Sequence, residues 1–547
     1  MLPAVSFPRF DRFLGKLPAG VLPWALAFAV VVAAGAAEGT WTAEGAHRWQ
    51  ALSVPPGERA GFVLLPPRAT GLDFTNAIAG ARHLANQQLL DGSGVTAADI
   101  DGDGRVDVFF AGLGGASGLW TNLGDWHFAN VTATAFGTGG PLATLDATGC
   151  AFADLDGDGS PDLVVNSHGQ GTHVFLNDGH GRFHARAPVL NAGRGGRTVA
   201  IGDVDGDGWP DLYIANSRVR TLADQPNARP TFRTERGRAE VAAIDGRPAT
   251  APDLTNRFVV NARGGVDELG EPDVLYRNLG GTNLAEVPWT GGAFLDADGA
   301  ALRAAPLDWG LAAMFRDLDG DGRPDLYVAN DFEGADRIWW NESRPGELRF
   351  RAGPRRGLRH TSLSSMGVDM ADVDRDGHDD VLVVDMLGRD HRQRLTQREG
   401  RPASETDPSD PDAVPQQEAN VLQMGRGDRT FAETAAFAGV QASDWSWTPA
   451  FLDVDLDGWE DLLVTTGQWR SPRDLDVAAE VRRMRQTRRM TDAELFAMRL
   501  KLPRLDMPNV AFRNDGHGRF VEAGQDWGFD TPGVKHGMCL ADLDGDG

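Results

Sequence analysis

Carboxylates at alternate positions, followed by a glycine, recur along this chain as the nine-residue phrase Asp-x-Asp-x-Asp-Gly-x-x-Asp. The first copy holds Asp99, Asp101, Asp103 and Asp107, the second Asp154, Asp156, Asp158 and Asp162, the third Asp203, Asp205, Asp207 and Asp211. The fourth holds Asp317, Asp319, Asp321 and Asp325, the fifth Asp372, Asp374, Asp376 and Asp380, the sixth Asp453, Asp455, Asp457 and Asp461. A seventh, with Asp542, Asp544 and Asp546, is cut off at Gly547. Four carboxylates this close repel one another unless a cation sits among them. Hard oxygen donors in alternation suit Ca²⁺, which takes about six to eight oxygens, and a glycine at position six lets the loop turn back around the ion. Side chains at positions one, three, five and nine are the expected ligands, giving about six structural Ca²⁺ sites. Position seven varies freely (Arg105, Ser160, Trp209, Arg323, His378, Trp459), as it would if only its carbonyl contributed. Metal-free Asp-Gly turns are the bland alternative. Six complete copies that keep all four Asp and the Gly favour metal.

What positions these loops is read from their flanks. An EF-hand needs a Glu at position twelve and helices on both sides. Position twelve here is Phe110, Val165, Ile214, Val328, Val383 and Val464, all apolar. After each loop comes a short β-branched or aromatic run such as Asp162-Leu-Val-Val or Asp211-Leu-Tyr-Ile, and similar runs precede it. The unit is strand, metal loop, strand. A second hairpin follows each complete loop, as in Thr172-His-Val-Phe-Leu-Asn-Asp-Gly-His-Gly-Arg-Phe183 and Asn509-Val-Ala-Phe-Arg-Asn-Asp-Gly-His-Gly-Arg-Phe520. Four strands per repeat are one blade of a β-propeller, so the expected class is all-β with about seven blades. Loop starts are 55, 49, 114, 55, 81 and 89 residues apart. The excess over a period of about 50 falls in inserts near 217–272, 388–419 and 470–508. Of these, Arg401–Pro411 reads as a loop without structure, and Thr491 with Glu494 reads as the capping box of a helix. Such inserts gather on one face of a repeat protein and often carry its specific binding.

The 547 residues carry a net charge of −25, and 27 of the 78 acidic residues are the repeated aspartates of the loops. Six divalent ions would bring that charge to −13, and no basic excess remains to meet phosphates, so a nucleic-acid partner is not expected. The metal-free protein should repel itself and be less stable. Only Lys16, Lys501 and Lys535 are lysines, against 50 Arg. Arg9, Arg12 and Lys16 precede an apolar stretch, Val21 to Ala37, that ends in small residues. Residues 1–37 therefore read as an export signal, either cleaved or kept as an N-terminal anchor, followed by a lead-in at 38–69. The destination is the periplasm, the cell surface or the medium. Cys150 and Cys539 each precede a metal loop, in repeats two and seven, and read as two buried thiols rather than a disulfide. Asn130-Val-Thr132 and Asn341-Glu-Ser343 are sequons.

No catalytic constellation stands out. The His residues make no His-Glu-x-x-His spacing, there is no Gly-x-Ser-x-Gly elbow, and the metal loops account for the paired carboxylates. Trp445, Trp447, Trp339 and Trp340 could stack on a sugar ring, but such residues more often pack between blades.

The loops and hairpins resemble the FG-GAP/VCBS repeats of integrin-α-like β-propellers. The match is closer to bacterial secreted proteins that join such repeats to an ASPIC/UnbV domain, relatives of the cartilage acidic protein. It is carried by Ser365-Met-Gly-Val-Asp-Met-Ala-Asp-Val-Asp-Arg-Asp-Gly377, by Asp385-Met386, and by Asp444-Trp-Ser-Trp-Thr-Pro-Ala-Phe-Leu-Asp-Val-Asp-Leu-Asp-Gly-Trp459. It covers about residues 70–547. The resemblance implies calcium at the loop Asp residues. Nothing matches the ASPIC/UnbV domain, and the chain stops inside a motif, so it reads as a fragment or truncated gene product. The expected function is a secreted or cell-surface adhesion or recognition module, not an enzyme, that binds an extracellular protein or glycan. It would meet a membrane only through an N-terminal anchor. The rivals are an ancillary or catalytic domain of a polysaccharide-active enzyme and a structural surface array without a ligand.

Overall fold

The computed structural model describes residues 60–545 except 79–80, 236, 262–263, 282, 333, 355 and 398–413, with two short strands at Thr42–Glu44 and His47–Trp49. The export-signal segment 1–37, the tract Arg401–Pro411 and Asp546 lie outside the described residues. The chain divides into two compact units, Met1–Glu58 and Arg59–Gly547. In the first, the two short strands pair antiparallel.

The second unit is a β-propeller. Six blades follow one another, each a four-stranded antiparallel sheet (one with an added fifth strand) that starts from its inner strand. Blade 1 is Val95–Ala98, Asp107–Phe110, Gly118–Asn122 and Phe128–Asn130. Blade 2 is Ala147–Ala153, Asp162–Ser167, Gly171–Asn177 and Phe183–Ala185. Blade 3 is Gly195–Gly202, Asp211–Ser217, Val274–Asn278 and Leu284–Val287. Blade 4 is Gly310–Arg316, Asp325–Asn330, Arg337–Asn341 and Phe350–Ala352, with Phe294–Leu295 added in parallel at its outer edge. Blade 5 is Gly367–Ala371, Asp380–Val384, Val421–Gly425 and Phe431–Glu433. Blade 6 is Ser446–Leu452, Asp461–Thr466, Val510–Asn514 and Phe520–Glu522.

The second strands are buried along their whole length in blades 2 to 6, because blades pack against both of their faces. That is why these strands read as continuous apolar runs rather than as an alternation. Apolar clusters fill the gaps between successive blades. Phe109, Leu163 and Phe175 lie between blades 1 and 2, and Leu382, Leu462 and Phe512 between blades 5 and 6. The four Trp residues singled out in the sequence belong to these interiors, each no more than 6% exposed.

The seventh position of the ring holds a single extended segment. Lys535 N donates to Thr466 O of blade 6, and Thr448 Oγ1 donates to His536 O. The His536 ring lies against Leu90 O, just ahead of blade 1. The inner strands and this segment surround an axial cavity of about 190 Å³. On the far faces of blades 6 and 1, residues ahead of the repeats pack inward. Phe62 meets Trp527 and Phe529, and Phe74 stacks on Phe110 at 4.8 Å. Residues 60–69 belong to this second unit, ahead of the boundary at residue 70 expected from sequence.

Both cysteines are free. Cys150 is half-buried and Cys539 is exposed, so the expectation of two buried thiols fails at Cys539. Its segment has no neighbouring second strand among the described residues to cover it. No helix of the described residues is long and apolar enough to cross a membrane.

Candidate metal centres and the opposite face

Each nine-residue phrase caps the hairpin between the first and second strands. The residue before position one pairs with the Asp at position nine, as Ala98 with Asp107 and Leu452 with Asp461. Position nine is the anchor. Its carboxylate is buried, at most 1% exposed, and accepts two backbone N–H groups. One comes from position two of its own loop: Ile100, Leu155, Val204, Leu318, Val373 and Val454, at 2.9–3.0 Å. The other comes from the end of strand three: Asn122, Asn177, Asn278, Asn341, Gly425 and Asn514, at 2.7–2.9 Å.

Position one accepts the amide of the position-six glycine at 2.8–2.9 Å in all six complete loops. Position five accepts the amide of position seven at 2.8–3.0 Å. The position-six glycines hold φ between 84° and 90°, farther into positive φ than side chains readily follow. Position four is also left-handed, a feature missed in the sequence. It is Gly102, Gly157, Gly206 and Gly320 in four loops, but Arg375 at φ 60° and Leu456 at φ 55° in the others. Those milder angles admit a side chain, so only position six is always glycine.

The carboxylates that converge are those of positions one, three and nine. Asp99, Asp101 and Asp107 bring oxygens within 4.8 Å of one another, as do Asp154, Asp156 and Asp162. So do Asp203, Asp205 and Asp211, then Asp317, Asp319 and Asp325, then Asp372, Asp374 and Asp380. Position five stands outside these five groups. In loops 1 and 4 its carboxylate is ion-paired with the arginine at position seven, Arg105 or Arg323. Burial pushes the position-nine carboxyls up, to about 6 in Asp162 and Asp461 and to about 7 in Asp211, Asp325 and Asp380, although their amide bonds pull the other way. Neighbouring loop carboxylates add to the rise. The donor set fits a hard divalent cation. The buried oxygens Asp101 Oδ1 and Asp205 Oδ1 have no hydrogen-bond donor, which a cation among the three carboxylates would remedy.

A ring of amides ties the loops to one another. The side-chain N–H of Asn177 donates to Ile100 O in the loop of the preceding blade, at 2.8 Å. Asn278, Asn341 and Asn514 do the same to Leu155, Val204 and Val373, at 2.8–2.9 Å. Asn122 of blade 1 closes the ring on Leu543 O at 2.8 Å, which sets the seventh loop in register with the other six. Blade 5 breaks the pattern. Gly425 stands where the Asn would be, and Arg429 reaches instead to Asp319, position three of loop 4, at 2.7 Å. Arg277 is likewise ion-paired with Asp205 in loop 3. The ring also removes one sequon from use: Asn341 is fully buried and its amide donates to Val204 and Pro324.

The inserts leave from the ends of the second strands away from the loops and meet on the opposite face. The first contains the hairpin strands Pro230–Glu235 and Arg238–Ile244 and a second pair, Phe258–Val260 with Val266–Glu268. The second contains helix His391–Gln397. The third contains helices Leu475–Thr487 and Asp492–Arg499, and Thr491 and Glu494 form the capping box read from the sequence. Asn227 donates to Met490 O at 2.9 Å and joins the first insert to the third. Arg473 pairs with Glu418 at 2.5 Å and joins the third to the second.

Carboxylates outside the loops also meet cavities. Asp91 is the only acid lining the axial cavity among the described residues, and it is ion-paired with buried Arg197 at 3.0 Å. A cavity of about 300 Å³ beside blade 4 is lined by Asp308, Asp336 and Trp340. There Asp308 is ion-paired with Arg337, while Asp336 accepts Asn330 N, Ser365 Oγ and Tyr327 OH at 2.7–2.9 Å. Blade 3 repeats the latter arrangement with Asp273, Asn216 N and Tyr213 OH. The repetition marks these acids as pins between strands two and three.

A family model described as an FG-GAP-like repeat matches residues 99–165, 154–214 and 317–383. No curated protein matches the chain. Among solved structures, a lectin of Agrocybe aegerita, titled for recognition of non-reducing terminal N-acetylglucosamine, is similar at 16% identity. It covers 83% of this chain and 100% of its own, with a TM-score of 0.30. A triple-arginine mutant of AofleA from Arthrobotrys oligospora is similar at 9% identity, covering 79% of this chain and 87% of its own, with a TM-score of 0.33. At these scores neither bears on what this chain binds.

Proposed function

Because the chain is an FG-GAP repeat β-propeller, we propose that it is a calcium-stabilised recognition module, exported from the cell, that takes a protein or glycan ligand on its insert-bearing face. The observation that carries the calcium reading is the convergence of three carboxylates within 4.8 Å, five times over, with no cationic side chain common to the five. Positions one, three and nine would hold the ion, and the position-five carboxylate and position-seven carbonyl are further oxygens within the same loop. Bound there, Ca²⁺ neutralises the cluster. The protein's part is to fix the cluster in place: position nine ties it to strand three, and the Asn ring ties it to the next blade. The export reading rests on residues 1–37, and the kinship with ASPIC/UnbV-type secreted proteins on Ser365–Gly377 and Asp444–Trp459.

Recognition is placed on the opposite face because the loop face is spent on repeated structural contacts, whereas the three inserts there are unlike one another. Thermal unfolding in Ca²⁺ and in EDTA tests the metal. A fall in Tm of about 10 °C or more is expected in EDTA, and an unchanged Tm would sink the calcium reading. An array of extracellular proteins, neutral glycans and anionic glycans, read with Ca²⁺ present, tests recognition. Silence across the whole array would remove the recognition reading.

A further inference from the structure

A charge contrast lies on the insert face. Residues 391–397 (His-Arg-Gln-Arg-Leu-Thr-Gln) and 481–489 (Val-Arg-Arg-Met-Arg-Gln-Thr-Arg-Arg) hold seven arginines and a histidine and not one acid, in a chain of net charge −25. They come from different inserts, and the fold packs helix His391–Gln397 beside helix Leu475–Thr487.

We infer that this paired-helix surface is a binding site for a linear anionic polysaccharide, its arginines meeting the uronate or sulfate groups. The inference deepens the recognition reading above and rests on it. Helix Leu475–Thr487 is held from below by Val481 and Met484, which pack on Met490, Leu495 and Met498. That anchorage turns Arg482 and Arg485, three residues apart, into one exposed edge of the helix, and exposed Arg488 and Arg489 follow where the chain leaves it in extended form. These four arginines occupy the last turns of the helix and the two residues after it. Two of them are already ordered: Arg485 donates to Pro226 O at 2.7 Å, and beside it Arg488 is ion-paired with Glu494 at 2.8 Å. Arg483 and Arg489 make no hydrogen bond or ion pair among the described residues. On the neighbouring helix Arg392 is exposed and Arg394 is oriented by Gly388 O at 2.6 Å.

Guanidinium groups match carboxylate and sulfate with two parallel N–H bonds, so an arginine surface suits these anions better than a lysine one would. A thin polyanion can follow one helix without touching the rest of the protein. Duplex nucleic acid, with a charge every ~1.7 Å on a thick rod, would also face the acidic surroundings and is disfavoured.

The test titrates the full chain, with Ca²⁺ present, with polygalacturonate, a heparin oligosaccharide, neutral dextran and a DNA duplex, at low and at high salt. Binding to at least one anionic polysaccharide is expected, lost at high salt, with none to dextran. The triple variant R482Q/R485Q/R489Q should weaken it about tenfold or more. Removing two arginines from the loop face, R182Q/R519Q, should leave it unchanged. Circular dichroism of the variants checks that the exposed substitutions leave the fold intact. Binding unaffected by the triple variant, no binding to either polysaccharide, or equal binding to dextran or DNA would overturn the assignment. Should the protein and neutral-glycan spots of the array respond while both polyanions fail, this inference falls and the recognition reading stands.

Discussion

The two faces of this propeller are built on opposite principles. On the loop face one arrangement is written again and again: the same four aspartates, the same left-handed glycine, the same amide bonds at nearly the same lengths. On the insert face nothing repeats, and a hairpin pair, a single helix and a helix pair meet one another through side-chain bonds such as Asn227 to Met490 O. Repetition belongs to what every blade needs, which is a clamp between neighbouring sheets. Irregularity belongs to what the molecule needs once, and a ligand is met once. The charges divide in the same way. The loop face gathers carboxylates that await a cation, and the insert face carries an arginine-rich stretch in which Arg483 and Arg489 make no ion pair among the described residues.

The largest test of this division is removal of the metal. EDTA should lower Tm by about 10 °C or more, while the triple arginine variant on the insert face should move it by no more than about a degree. If the two changes moved Tm equally, the division between faces would be wrong. Next in size is a contrast within one loop. Asp162→Ala strips the acceptor from two buried amides, Leu155 N and Asn177 N, at about 1–3 kcal/mol each, and should destabilise the protein both with and without Ca²⁺. Asp156→Ala removes a ligand whose carboxylate no backbone amide of its own blade's strands depends on, so its cost should vanish in EDTA. Melting both variants in both buffers separates an anchor from a ligand.

The pH response sharpens the same point. In EDTA the position-nine carboxyls sit at about 6 to 7 when folded and near their ordinary value of 3.8 when unfolded. Between those values the folded state holds more protons, so stability must rise as pH falls through about 7. Buried His168 and His536, held down to about 4, act in the opposite direction, but mostly below their ordinary 6.5, so above it the more numerous carboxyls outweigh them. From about pH 8 to about pH 6.8 Tm should therefore rise in EDTA. In saturating Ca²⁺ the ionised carboxylates are the bound form, protons compete with the ion, and the rise should disappear or reverse. A rise of equal size in both buffers would separate position nine from the metal.

Most of the loop face was legible in the sequence because its determinants are local. Asp and Gly at fixed offsets set the loop, and the apolar runs after it set the strands, so the six blades fall where the pattern places them. The insert face was not legible, since it is assembled by contacts between residues hundreds of positions apart, such as Arg485 with Pro226. Helix Asp492–Arg499 was readable from its capping box, yet Leu475–Thr487 was missed although Asp474 caps it through Val477 N. An arginine run in an arginine-rich chain looked like composition, and the absence of acids from Val481 to Arg489 was the signal that could have exposed it. The division of labour within each loop was equally hidden. Four aspartates look alike in sequence, but position nine faces two amides and position five turns to an amide of its own loop, differences that exist only after the strands have paired.

The smallest effects should come from the one joint where the repeated face departs from its own rule. Blades 2, 3, 4 and 6 each reach the preceding loop with a buried Asn, and blade 5 uses Arg429, whose side chain is 37% exposed. Asn341→Ala leaves the carbonyls of Val204 and Pro324 without this donor in a buried setting, and should cost about 1–3 kcal/mol. Arg429→Ala removes a partly solvated ion pair, so in Ca²⁺ it should cost less than about 1 kcal/mol. In EDTA the same substitution should cost more than in Ca²⁺, because Arg429 is then the only cation at Asp319 among the described residues. It should also raise calcium affinity at loop 4, where the guanidinium competes for the position-three carboxylate. Calorimetric titration of R429A beside the unaltered chain reads this directly. An unchanged titration would show that Arg429 replaces the missing Asn mechanically and takes no part in the charge balance of the loop.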